Sequence, residues 1–272
     1  MFRSQIQRKA RMPVQEAYCG FLVHLGRFAS STQKSYARAL ERFFASTPEY
    51  ISQISIEHIE RYILTLQKTL KSSSCNTALA AIKSFYSWLE ITHNIENIAR
   101  KVKKLKALPP HQRVLSQEEY KRLIEVIEGD IKAVVSILCN TGMRISEFLS
   151  LKPENISGDF LSVFSTKTNK IRSIPLNRTA KEVLSNPTFF NILKSITRFH
   201  INYLFIKAAK AANIPKFSPH SCRHYFCTTL IKNGVPRSTV AKLMGDTVQT
   251  IDTVYCHLTN DDLIGSTDCL TL

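Results

Sequence analysis

The sequence predicts a mainly α protein with a small β-hairpin or sheet, an α+β chain organised as two domains. Three observations predict it. Apolar residues recur at spacings of three and four through most of the 272 residues. One stretch, "DFLSVFSTKTNKIRSIPL", alternates apolar and polar residues on both sides of "TKTNK", the pattern of a hairpin. Between two helical regions, a basic segment running into Pro109 and Pro110 interrupts both periods.

The elements follow in order. A first helix is predicted from Pro13, with Tyr18, Phe21, Leu22 and Leu25 on one face. "SSTQKSYARALERFFAS" repeats the pattern behind a serine cap, and two further helical runs cover roughly Ser55 to Leu70 and Asn76 to Thr92. These make a helical domain, 1–100. Residues 101–113 are a basic, Pro-containing linker, since the prolines stop a helix and the charges resist burial. The second domain, 114–272 with its short C-terminal tail, opens at "SQEEYKRLIEVIEG", where Ser116 and Glu119 have capping-box spacing. A helix over about Lys132 to Thr141 stops at Gly142, and another begins near Arg144. After the hairpin, helices return from Thr179, and Gly234 is expected at C′ of the helix that Pro219 opens.

Composition narrows the function. Hydrophobic residues at 44% and charged residues at 21% describe a globular chain. The net charge of +16 suits a polyanion, with nucleic acid ahead of a membrane surface. The excess is uneven: residues 1–110 carry 17 Lys+Arg against 7 Asp+Glu, and residues 111–272 carry 20 against 14. Seven scattered cysteines without a C-x-x-C pair argue for free thiols in a reducing compartment and against a zinc site or disulfide framework. "MFRSQIQRKARMP" lacks a following apolar h-region, and no stretch reaches about 18 apolar residues. The expectation is a soluble, cytoplasmic protein with no membrane contact.

Four stretches could carry chemistry. If Pro219 opens a helix in "PHSCRH", His220 and Arg223 share one exposed face at its amino end, where free N–H groups and the dipole favour an oxyanion. Tyr225, Phe226, Thr229 and Leu230 would supply that helix's buried side, and His224, about a hundred degrees round, would be structural. In "NTGMRISEFLSL", Gly142 breaks a helix and Arg144 starts the next beside the core residues Ile145, Phe148 and Leu149. Arg144 is either a snorkelling surface residue or a bidentate phosphate ligand. The hairpin brings Lys167, Lys170 and Arg172, which serve either as solubility charges or as groups reaching into a groove. In "LMGDTVQTIDTVYCHL", Tyr255 sits late in a short helix or turn, as a packed residue or an oxygen nucleophile. No paired carboxylates for magnesium are evident, so neither a metal nor a cofactor is expected.

"TGMRISEFLSL", "STKTNKIRSIPL", "PHSCRHYFCTTLIKNGVPRSTVAKLMGD" and "IDTVYCHL" resemble, in order and approximate spacing, the catalytic boxes of the tyrosine site-specific recombinases, the phage integrase family. The resemblance spans about Ser116 to His257, and the amino-terminal helices resemble the family's SAM-like core-binding domain more loosely. It implies a two-domain clamp on duplex DNA, with a core-binding domain and a catalytic domain. It also implies strand cleavage and rejoining through a 3′-phosphotyrosyl intermediate, without metal or ATP. Arg144 and Arg223 would hold the scissile phosphate, His220 would assist as general base or hydrogen-bond partner to Tyr255, Lys167 would protonate the leaving 5′-oxygen, and Tyr255 would attack. DNA contacts are expected at Gln33, Lys34, Arg38, Lys71, Lys83, Lys101, Lys103, Lys104, Lys170 and Arg172. The partners implied are specific recombination sites and a homo-tetramer on two of them, with room for an accessory DNA-bending factor or a second recombinase. The role is integration, excision or replicon dimer resolution.

One position departs from the family. Where its members usually carry His or Trp, this chain has Asp246, a carboxylate that cannot replace a donor to phosphate. Asp246 and Gln249 have capping-box spacing; alternatively Asp246 orients Arg223 or His224. Slower chemistry is expected from it. A catalytically silent DNA-binding factor on the same fold, and a topoisomerase-like relaxer, are the rival readings. Leu263, Ile264, Leu270 and Leu272 of the tail either dock on a neighbouring subunit or fray.

Overall fold

The computed structural model describes residues 12–107, 113–165 and 169–255, the side chains of Val254 and Tyr255 excepted. The chain divides into two units, Met1–Pro110 and His111–Leu272. Lys167 and the tail residues Leu263, Ile264, Leu270 and Leu272 lie outside the described residues.

The first unit holds α1 (Val14–Leu25), α2 (Ser30–Phe44), α3 (Ile56–Gln67) and α4 (Ser72–His93). Burial recurs along the whole length of α4, at Cys75, Leu79, Ile82, Phe85 and Leu89, and the other three helices pack around it. Phe85 meets Phe21 and Phe44 edge-on, with ring centroids 5.4 and 5.1 Å away. Gly20 lets α1 close on α4, since a Cβ there would lie 2.8 Å from the Trp88 ring. The chain beyond α4 is tied back by the Asn76 amide, which accepts from Leu105 N–H and donates to its carbonyl, both at 2.9 Å.

Two expectations are corrected here. The residue before α2 is Ala29 and no side chain caps the helix, Ser30 being its first residue. Helix α4 starts at Ser72 rather than Asn76, because Ser73 and Ser74 of its first turn are exposed and carry no apolar period.

The second unit begins with α5 (Gln117–Val126), whose Ser116 hydroxyl accepts from Glu119 N–H while the Glu119 carboxylate accepts from Ser116 N–H. Helix α6 (Gly129–Thr141) starts one turn earlier than its apolar pattern and ends at Gly142, φ 61°. It is followed by α7 (Ile145–Leu149). Strands β1 (Ile156–Ser157), β2 (Phe160–Ser165) and β3 (Lys170–Pro175) form an antiparallel sheet in that order. The hairpin matches the alternating pattern, whereas β1 is too short to show one. Helices α8 (Arg178–Leu184), α9 (Pro187–Ser195), α10 (Arg198–Ala211), α11 (Pro219–Lys232), α12 (Arg237–Met244) and α13 (Val248–Thr250) follow, and the turn Ile251–Tyr255 is π-helical. Gly234, φ 77°, sits just past α11 as expected.

Helix α6 is the centre of this unit, packed by α8, α9, α10 and α11. Its core joins Leu138, Phe148, Leu161, Phe189 and Phe205. A smaller cluster, Cys227, Val240, Met244 and Ile251, seats α12 and the π-turn on α11.

Candidate active site

The site is built where α7, β3, α11 and the end of α12 meet. Helix α11 is capped by the Ser218 hydroxyl, which accepts from Ser221 N–H, and Pro219 takes a first-turn position that needs no donor. That phase turns Cys222, Arg223, His224 and Cys227 inward. Tyr225, Phe226, Thr229 and Leu230, expected on the buried side, are only half-buried. Arg223, expected on an exposed face, is 2% exposed and among the largest fully buried side chains among the described residues.

A buried guanidinium needs acceptors, and the local backbone supplies them. Arg223 Nη1 donates to the Gly142 carbonyl, and Nη2 donates to the Met244 carbonyl at 2.7 Å. Met244 ends α12, so its carbonyl is one of the orphan acceptors at the negative pole of that helix. Gly142 is required twice over. Its φ is left-handed, and a Cβ there would lie 2.4 Å from the Phe226 ring of α11.

Arg172 serves the same helix end. Paired strand residues project to one side of a sheet, and Arg172 is paired with buried Val163, so its side chain points inward. Its Nε donates to the Leu243 carbonyl at 2.8 Å, and its two terminal nitrogens donate to the Glu147 carboxylate at 3.1 and 2.7 Å. The side chain is 8% exposed. Arg172 was expected among outward DNA contacts, and the strand register corrects that orientation. Gly245, φ 64°, fits against it, a Cβ there lying 3.1 Å from Arg172 Cδ.

Glu147 is the residue that sequence reasoning missed. It accepts from Arg144 N–H at 2.8 Å and from Arg144 Nη1 at 3.1 Å as well as from Arg172. Burial pushes its carboxyl up, but the hydrogen bonds from Arg172 and from Arg144 N–H, with both positive charges, bring it below the ordinary carboxylate value. The available signal was a carboxylate three residues after Arg144, inside the apolar set of α7.

Asp246 closes the cluster. One carboxylate oxygen sits 2.7 Å from Arg144 Nη2, and the other 2.5 Å from Arg223 Nη2. It is not a helix cap: Thr247 caps α13, its hydroxyl accepting from Thr250 N–H. The expected contact with Arg223 is found, with Arg144 added. His220 lies at the surface beside them. Neighbouring protein still withdraws water from its ring, and Arg223, Arg198 and Arg144 oppose its protonated form, so its pKa falls below 6.5. His224 is buried, in keeping with a structural place.

Arg144, Arg223 and His220 are thus brought together. Tyr255 ends the π-turn that follows, and its side chain lies outside the described residues, as does Lys167. The outward candidates Lys34, Arg38, Lys71, Lys103, Lys104 and Lys170 are exposed and Lys83 is half-buried. Gln33 donates to the Phe28 carbonyl, and Lys101 pairs with Glu96 at 2.9 Å. Two guanidiniums aimed at one pair of oxygens, with an imidazole at a nearby helix amino end, are an arrangement that can hold a phosphoryl group.

Comparison with known proteins specifies the class. Residues 113–261 match the model of the phage integrase family, and residues 20–93 match that of the phage integrase N-terminal SAM-like domain. The chain belongs to the phage integrase family, the tyrosine recombinases. It is 26% identical over 272 residues to a tyrosine recombinase of Thermosipho africanus, covering 92% of this chain and 96% of that protein. It is 31% identical over 211 residues to the integrase of Escherichia phage P2, covering 75% of this chain and 61% of the relative. In fold it is similar to a lambda integrase dimer bound to a COC′ core site, with TM-score 0.77, 16% identity, and coverage of 90% of this chain and 95% of the other. The Tn1549 transposon integrase in complex with transposon right end DNA gives TM-score 0.75 at 18% identity, covering 95% and 99%.

Proposed function

We propose that this recombinase binds specific duplex DNA sites and cuts and rejoins them through Tyr255. One observation carries the reading: the Nη2 atoms of Arg144 and Arg223 meet the two oxygens of a single carboxylate, the arrangement that two non-bridging oxygens of one phosphodiester require. The Tyr255 oxygen attacks phosphorus, its proton passing to neutral His220. The bond to the 5′-oxygen breaks, and Lys167 supplies the proton that makes the 5′-hydroxyl. Arg144 and Arg223 stabilise charge on the pentavalent transition state, the contribution that usually dominates such catalysis. The reverse attack by a 5′-hydroxyl of another strand rejoins DNA and frees Tyr255, so the bond count is conserved.

The exposed Lys and Arg residues of the first unit support a core-binding role on the DNA backbone. Work on two sites calls for a homo-tetramer, and the tail from Asp261 is proposed to link its subunits. Nicked suicide duplexes incubated with the protein in EDTA and resolved on a denaturing gel test the reading. A protein-linked DNA band is expected, and it disappears in Tyr255→Phe. No band on DNA that the protein demonstrably binds would overturn it.

A further inference from the structure

Arg223 Nη2 has two hydrogens, and both are committed: one to the Met244 carbonyl, one to Asp246. The first bond fixes Arg223 on the end of α12, and the second faces the site. Arg144 Nη2 likewise donates to the other oxygen of Asp246. A phosphate oxygen reaching Arg223 Nη2 must therefore take the hydrogen that Asp246 holds, and its own charge repels that carboxylate.

We propose that Asp246 is a rate- and selectivity-setting residue, an internal carboxylate that the scissile phosphodiester must displace from Arg144 and Arg223. The proposal rests on the reading of those arginines as the phosphate site. Asp246 has somewhere to go. It lines a cavity of about 740 Å³ between β3 and α12, shared with Lys170, Ser173, Lys242, Thr247 and Thr250. Hydroxyl and ammonium groups there can receive a carboxylate that swings off the arginines.

The functional consequence is selectivity. A ligand that binds only the open arrangement has its apparent affinity reduced by the fraction of molecules that are open. A lone phosphate gains too little to open the pair. A duplex that makes its full set of contacts elsewhere gains enough, so cleavage is confined to well-bound sites.

Asp246→Ala and Asp246→Asn test this. With the competitor removed, adduct formation on the suicide duplex is expected to accelerate on the order of ten-fold, equivalent to about 1.4 kcal/mol. Added acetate, a free carboxylate, should then slow the Ala variant and leave the wild type unchanged. If Asp246 instead positions the arginines for catalysis, the Ala variant is slow and acetate restores it, which would sink the proposal. Thermal melting in inorganic phosphate gives a readout independent of chemistry. Phosphate should raise the Tm of both variants and not that of the wild type. Variants that melt low, or do not fold, and that phosphate fails to raise would make Asp246 a structural brace and overturn the proposal. If no protein forms an adduct on DNA it binds, the recombinase reading falls by itself, and the phosphate melts still decide whether Asp246 competes for an anion.

Discussion

The two units of this chain handle charge in opposite ways. The core of the first is apolar and aromatic; among its described residues Asn97 is the one buried polar side chain, and its ion pairs lie at the surface. Arg100 and Glu90, for example, are 65% and 32% exposed. The second unit takes Glu147, Arg223 and His224 inside and brings Arg144, Arg172 and Asp246 nearly so. Burying a charge is costly unless it is paired and hydrogen-bonded, so a fold tolerates such a cluster only where every partner is supplied. The first unit can meet a polyanion with solvated side chains that lose little on binding. The second must hold guanidiniums at fixed positions, and the Gly142 carbonyl, the carbonyls at the end of α12 and the Glu147 carboxylate do so.

The largest effect expected from this contrast is on stability. Glu147→Gln leaves the inward guanidinium of Arg172 without a counter-charge, and removing one partner of a buried pair costs roughly 3–5 kcal/mol. Urea unfolding should show that loss as a lower midpoint. Adduct formation should fall as well, because Arg144 loses the group that orients it. A loss under about 1 kcal/mol, the range of exposed pairs, would break the comparison. The sign with pH follows from the lowered Glu147 pKa: its stabilisation is complete above the ordinary value of 4.5 and is lost as pH falls through the lower folded value.

A smaller effect sharpens the same contrast through catalysis. His220 sits beside three arginines and its pKa is lowered, so it stays neutral at physiological pH and can accept a proton. The adduct-forming rate should be flat near neutrality and decline only below its ordinary 6.5. His220→Gln should be slow and lack that decline. If the decline persisted in the variant, another group would be the base. Since the unfolded ring binds a proton more readily than the folded one, His220 also destabilises the fold as pH drops below 6.5.

Much of this was legible in the sequence, for reasons that also explain what was not. Gly142 and Pro219 mark the two helix starts that present Arg144 and Arg223, and the alternation about "TKTNK" marks the hairpin. That Arg144, His220 and Arg223 belong together came from the resemblance of their boxes to those of the tyrosine recombinases; composition and spacing left each of them open. Arg172 was misjudged because its charge was weighed before its register; two residues back from buried Ile174, it shares the inward face. Glu147 was missed because Arg172 lies on β3 and the Arg144 N–H is backbone, so only its spacing of three from Arg144 could be read in the sequence. Asp246 was noticed as a departure, but its placement depends on α12 ending at Gly245 with a left-handed turn, a three-dimensional fact.

The smallest effect is expected where charge is most visible. Arg100 and Glu90 make a two-pronged contact at 2.9 and 2.6 Å, geometry as good as any in the active site. Both groups are nonetheless solvated, so their attraction is screened and ordering two long side chains offsets it. Arg100→Ala should change stability by about 0–1 kcal/mol, the range measured for exposed pairs, and that small change should shrink further as salt is added. A loss as large as that of Glu147→Gln would mean that geometry rather than burial sets the worth of these pairs. The distinction drawn between the two units would then have to rest on their shapes alone.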